Sequence, residues 1–217
     1  MADFRLRVTY RMAGRLVMLS HLETARALER IVRRADLPYA VSQGFSPHMK
    51  MAFGAALPVG VGGDEEIFDV QLDEYVAPDR ALARLQAASC ADLMPLAARY
   101  IAKDVAAASV AYPFSTYRAQ LALDGANGGA AALAAAIAAC RVPEEITVVR
   151  KKKEKTLVVS EFLTDEMTRD ADAVTFTLEA KKTGSLRPDV LLDAMLEGTG
   201  LRIVSVMRIR QEENVRS

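Results

Sequence analysis

Phe4-Arg5-Leu6-Arg7-Val8-Thr9-Tyr10 alternates apolar and polar side chains without a break. A period of two puts Phe4, Leu6, Val8 and Tyr10 on one face, so the segment predicts a half-buried strand. Gly14 interrupts it, and Leu16–Leu19 reads as a short returning strand. Ser20-His21-Leu22-Glu23 is a capping box, in which the Ser20 hydroxyl meets the backbone of residue 23 and Glu23 reaches back. Behind it Leu22, Ala25, Leu28, Ile31, Val32 and Ala35 fall on one helical stripe, and Leu37-Pro38 ends the helix. Short strands follow at Tyr39–Val41 and Met51–Phe53. Phe68, Val70 and Leu72 then alternate with charged or polar neighbours as a further strand. Pro78 suits the start of a helix, with Leu82 and Leu85 on its buried side, and Met94–Ile101 is the last strand of the set.

The order β-α-β-β-α-β is that of a ferredoxin-like plait. It recurs in the second half: Tyr117 to Leu123 as a strand, an alanine-rich run from Gly128 to Cys140 as a helix, strands at Ile146–Arg150 and Thr156–Val159, and alternation through Val174, Phe176 and Leu178. Pro188 opens a helix that Gly198 closes, and Ile203–Ile209 is the final strand. The predicted class is therefore α+β, two tandem ferredoxin-like (βαββαβ) plaits with antiparallel sheets. The first spans residues 1–104 and the second residues 105–217. In the first, the strands beginning at Phe4 and Phe68 are expected side by side and parallel, with Arg5 and Arg7 neighbouring Asp69 and Asp73 as cross-strand ion pairs rather than phosphate ligands.

The 217 residues are 51% hydrophobic and 26% charged, the composition of an ordinary globule and not of a disordered chain. No run approaches the ~18 apolar residues of a membrane span, and no secretory signal opens the chain, so a cytoplasmic protein without membrane contact is expected. Cys90 and Cys140 are far apart and only two histidines occur, which argues against a disulfide framework or a metal site. Net charge is zero, with 28 basic and 28 acidic side chains. The distribution is uneven: residues 1–56 carry nine basic and four acidic groups, and residues 57–98 two basic and eight acidic. Mutual neutralisation in the fold accounts for that pattern.

One segment exceeds what a plait requires. Ser42-Gln43-Gly44-Phe45-Ser46-Pro47-His48-Met49-Lys50 groups a glycine free to take positive φ, a stiffening proline, an aromatic ring, an imidazole and an ammonium. The loop, with Leu19-Ser20-His21-Leu22-Glu23, Ala27-Leu28-Glu29-Arg30, Met51-Ala52-Phe53-Gly54 and Ala56-Leu57-Pro58-Val59-Gly60, resembles the radical-SAM-associated domain family. That is a domain of unknown function fused to, or encoded beside, cobalamin-binding-type radical SAM proteins in bacteria. The family pattern reads Gly-Phe-(His/Ser)-Pro-His-Pro-Lys; Gly44, Phe45, Pro47, His48 and Lys50 match it, and Met49 replaces the second proline. The resemblance implies a radical SAM partner. The radical SAM iron–sulfur cluster needs three thiolates, and two distant cysteines cannot supply them, so cluster and SAM are expected on that partner and no cofactor is expected here.

The expected role is an accessory substrate-recognition module that binds RNA or a ribonucleoprotein. Its candidate binding residues are Gln43, Gly44, Phe45, Ser46, Pro47, His48 and Lys50 in the loop. Arg26, Arg30, Arg33 and Arg34 on the first helix and Arg150, Lys151, Lys152 and Lys153 in a basic hairpin complete the set. Two alternatives remain open. One is a metal-independent endoribonuclease using His48 with Lys50 and His21 as acid–base and charge-stabilising groups. The other is a protein-docking domain with the loop 42–54 as its surface and Phe45, Met49, Met51 and Phe53 as candidate apolar anchors, the last two reading rather as core. The geometry that tests the site is whether His48, Lys50 and the arginine-bearing helix surround one cleft.

Overall fold

A computed structural model describes residues 4–125, 129–150 and 153–213. The chain divides into two compact units, one ending at Tyr112 (with Glu213 onward) and the other spanning Pro113–Glu212. The architecture is mixed α/β, with five α-helices among the described residues and a mostly antiparallel sheet; it contains a parallel pair, which corrects the expectation of wholly antiparallel sheets.

In the first unit β1 (Phe4–Met12) leads through a 3-10 turn (Gly14–Met18) into α1 (His21–Arg34), then β2 (Met51–Phe53), β3 (Val61–Leu72), α2 (Pro78–Ala87), β4 (Leu93–Ile101) and the short α3 (Ala108–Ala111). The sheet order is β4-β1-β3, with β2 on the far side of β3. Leu6, Val8, Tyr10 and Met12 of β1 and Phe68, Val70 and Leu72 of β3 pack in one core with Leu28, Ile31 and Val32 of α1 and Ala81 and Leu85 of α2. Both helices therefore cover the even-numbered face of β1. Alternation leaves Arg5 and Arg7 on the opposite face. The capping box is present as read: Ser20 Oγ accepts from the Glu23 amide, and the Ser20 amide donates to the Glu23 carboxylate. The Ser20 hydroxyl (2.7 Å) and the Ser20 amide, both donating to the Glu23 carboxylate, hold that carboxyl below the usual carboxylate range.

Three local readings are corrected. Residues 14–18 coil as a 3-10 turn instead of a returning strand, because Gly14 adopts φ +55° and the amide of Ala13 is already taken by Asp92 O at 2.9 Å. Tyr39 and Val41 make isolated bridges, to Leu72 and Met49, in place of a strand. β1 and β3 are antiparallel, not parallel. α1 carries the chain back so that β2 runs with β1; the β2–β3 turn then reverses it, and β3 must oppose β1.

In the second unit β5 (Phe114–Leu123), α4 (Ala130–Ala139), β6 (Glu145–Arg150), β7 (Lys153–Val158), β8 (Thr168–Arg169), β9 (Ala173–Glu179), α5 (Pro188–Leu196) and β10 (Leu201–Glu212) follow in order. The sheet is β10-β5-β9-β8, and β6 and β7 pair only with each other. That hairpin buries Ile146 and Leu157 alone of its described side chains, too little apolar surface to earn a place in the sheet. α5 starts with Pro188 at its first turn, and Gly198 stands just past its end at φ +71°. Cys140 is buried, which pushes its thiol up, and Cys90 is exposed; both are free.

Gly14 is a backbone requirement: a Cβ there would fall 2.3 Å from an Asp92 carboxylate oxygen, and φ is left-handed. Gly14→Ala is expected to cost about 1–2 kcal/mol, read as a lower urea midpoint with an unchanged slope.

Candidate binding groove

The nine residues of the loop leave the first unit and return through a zipped neck. Val41 bridges Met49, Ser42 N donates to His48 O (2.8 Å), Lys50 N donates to Ala40 O (2.9 Å), and Gln71 N donates to Lys50 O (3.0 Å). Met49 is the anchor, 4% exposed within the core, and puts a thioether into the apolar interior. This corrects Met49 as a partner-facing residue: its neighbours at the bridge aim it inward. Met51 and Phe53 also pack against the core. Gly44 takes φ +136° at the tip, and Gln43, Gly44, Phe45, Ser46, Pro47 and His48 are all exposed. Phe45 is completely so.

His48 is held by Ser42. Ser42 Oγ accepts from the His48 amide at 3.1 Å and lies 2.8 Å from Nδ1. The same Nδ1 lies 3.4 Å from Ser46 O, so the imidazole is held to the loop by that edge of the ring. His48 and Lys50 line an open groove of about 370 Å³ with Arg5, Lys103, Gln71 and Asp69. Arg5, Lys50 and Lys103 outnumber the single carboxylate, which is itself shared between two guanidinium groups. Among the described residues no carboxylate pairs with Lys50.

Asp69 forms the floor. Arg7, opposite it in register, donates Nε to Oδ1 (2.7 Å) and Nη2 to Oδ2 (3.0 Å), while Arg5 donates Nη2 to Oδ2 (2.6 Å). The sequence placed these arginines on an exposed face; instead the Arg7 and Asp69 side chains are 2% and 3% exposed. What covers them is the segment 102–112: Arg5 donates to Val105 O (2.7 Å), Arg7 to Ala106 O (3.2 Å) and to the Tyr112 hydroxyl (3.4 Å), and the Tyr112 ring lies 5.5 Å from the Arg7 guanidinium carbon. The hydrogen bonds to Asp69 hold the Arg7 guanidinium above its ordinary value, against the opposing effect of burial. Asp73 lies past the end of β3 and takes no part.

The remaining candidates do not join this groove. Arg26, Arg30, Arg33 and Arg34 are exposed on α1, across the sheet from Arg5 and Lys50, so the single cleft uniting them with the loop does not form. His21 stands at the start of α1, edge-on to Phe53 at 5.7 Å, and lines a different, much smaller cavity. Arg150 closes β6 and Lys153 opens β7; Lys151 and Lys152 lie outside the described residues. Sequence reading missed Lys103 and Gln71 as groove walls. Gln71 could have been found as a polar position in step with Arg5, its register partner. Lys103 follows the last strand and carries no such signal. Among the described residues no cluster of His, Cys, Asp or Glu could hold a metal ion, and no helix is long and apolar enough to cross a membrane.

The sequence matches, over residues 5–188, the family described as an uncharacterized protein conserved in bacteria (DUF2344). The chain belongs to the DUF2344 family. Among curated proteins no relative matches it. Among solved structures it is similar to the crystal structure of an unknown protein from Galdieria sulphuraria, at 14% identity, over 99% of this chain and 100% of that one, with a TM-score of 0.29. So loose a superposition decides nothing about fold.

The ion cluster beneath the groove of this DUF2344 protein sets a stability order. Asp69→Ala strands the buried Arg7 and is expected to cost about 3–5 kcal/mol, while Arg5→Ala leaves the Arg7–Asp69 pair intact and costs much less. Urea unfolding measures both. Limited trypsinolysis should also show faster cleavage after Lys103 in Asp69→Ala, as the covering segment loosens.

Proposed function

We propose that the protein is a recognition module that holds the anionic backbone of an RNA or ribonucleoprotein in the groove between the 42–50 loop and Lys103. It acts beside a separate radical SAM protein in the cytoplasm and carries no cofactor of its own. Each unit is read as a ferredoxin-like plait, on the strand orders β4-β1-β3-β2 and β10-β5-β9-β8.

The observation that carries the reading is the convergence of Arg5, His48, Lys50 and Lys103 on one open groove in which, among the described residues, the one carboxylate is already engaged. A phosphate oxygen accepts from any of these groups, and each phosphate neutralised releases counterions, so affinity falls with salt. The radical SAM association rests on the resemblance of the loop sequence. The Ser42–His48 pair favours one further reading, in which His48 acts as an acid–base group on RNA; His21 is too far around the fold to assist it. Phe45 remains available as a contact for a protein partner.

Fluorescence anisotropy with tRNA and rRNA fragments at low salt tests the binding. Lys50→Glu is expected to weaken it at least tenfold, and a plot of log affinity against log salt to have a slope near about −2 for two to three phosphate contacts. Undisturbed binding by Lys50→Glu overturns the assignment. His48→Ala retaining affinity while abolishing RNA cleavage would mark the enzyme instead.

A further inference from the structure

The first unit holds a second feature, on the helix-covered side of the sheet. Tyr75, in the turn between β3 and α2, is 60% exposed, an unusual position for a ring of that size. One of its faces stacks on Tyr100 (centroids 5.2 Å apart, planes at 28°), and Phe4 meets both rings edge-on at 5.8 and 6.0 Å. Tyr100 is pinned: its hydroxyl accepts from Val76 N (3.1 Å) and donates to Val76 O (2.9 Å). Burial pushes its phenol up, so it stays a neutral donor. Tyr75 is thereby fixed as a platform whose second face looks to solvent.

The platform borders a groove of about 450 Å³ that also takes in Arg80, Arg84, Glu74 and Asp36. Arg84 donates to Asp36 O at 3.1 Å, tying α2 to the end of α1. Arg33 and Arg34 close α1 immediately before this point, and among the described residues neither they nor Arg80 form an ion pair. A flat, preorganised ring face beside arginines fits a nucleobase with its phosphates. The two carboxylates can accept from base-edge N–H groups. A protein partner fits less well, because interface centres are depleted in charged side chains and this one is ringed by four.

We propose that Tyr75 is the stacking platform of a single-strand-specific RNA site, with Arg80 and Arg84 receiving the flanking phosphates. It deepens the reading of the protein as an RNA-recognition module, yet uses residues apart from the loop groove, so the two can fail separately.

The test is anisotropy of fluorescein-labelled octaadenylate and of a 16-base-pair RNA duplex, with wild type, Tyr75→Ala, Tyr75→Phe and Lys50→Glu. Tyr75→Ala is expected to weaken octaadenylate binding by roughly 5- to 100-fold, Tyr75→Phe to stay within about twofold because the ring face is kept, and duplex binding to be indifferent to both. Tyr75→Leu, which still covers Tyr100 but offers no flat face, should behave like Tyr75→Ala and excludes a mere folding effect. Equal affinity of wild type and Tyr75→Ala, or no binding of octaadenylate by wild type, overturns the proposal. If Lys50-dependent duplex or tRNA binding persists in that case, the groove reading survives. If octaadenylate binding depends on Tyr75 but no RNA responds to Lys50→Glu, the platform stands and the groove falls.

Discussion

A carboxylate shared by two arginines under cover is the constraint on which the first unit turns. Asp69 lies opposite Arg7 because β1 and β3 are antiparallel in that register, and a slip of one residue in either strand would send its charges, the two arginines or the aspartate, to the apolar face and break the pairing. Three ionic groups on a sheet face would ordinarily stay in water. Here nearly every donor of Arg7 is engaged, by Asp69, by Ala106 O and by Tyr112, and the cluster is sealed by residues 102–112. Burial at this level is tolerated only when pairing and hydrogen bonding are both complete. The covering segment belongs to the first unit because the arginines hold its carbonyls.

The groove follows from that arrangement. Consumed by Asp69, Arg7 cannot serve a ligand, and Arg5 retains only part of its capacity. The cationic character is therefore completed from outside the sheet, by Lys50 at the foot of the loop and Lys103 at the start of the covering segment. The neck of the loop explains why Lys50 and His48 reach the same space. Met49 is driven into the core between them, and two residues flanking a buried one on extended backbone share a face. Met49 thus acts as the pivot that aims its neighbours.

Much of this was legible in the chain. The alternation from Phe4 to Tyr10 and from Phe68 to Leu72, the capping box at Ser20–Glu23, Pro188 at a helix start and Gly198 beyond its end all express local rules, and all stand in the structure. The charge blocks read as mutually neutralising meet as Arg5–Asp69, Arg7–Asp69 and Arg11–Asp64. Segments whose form depends on distant partners were less legible. Residues 14–18 coil because Asp92 lies across from Ala13. The strands at 145–158 have the right residues for a sheet but too few apolar positions to be covered in one.

Two properties of a side chain are set by its immediate sequence: the face of an element it occupies and the backbone angles it permits. In this protein those properties determined that Arg5 and Arg7 share a face, that Gly44 can turn the loop, and that His48 and Lys50 flank a common residue. Which groups stand together on the far side of the sheet was decided by tertiary structure alone. The arginines of α1 do not join His48, since helix packing assigns α1 to the apolar face of the sheet and Lys50 lies with the other. Lys103 enters the groove, and Arg7 leaves solvent, only because a strap eleven residues long folds back across strands from which the sequence separates it.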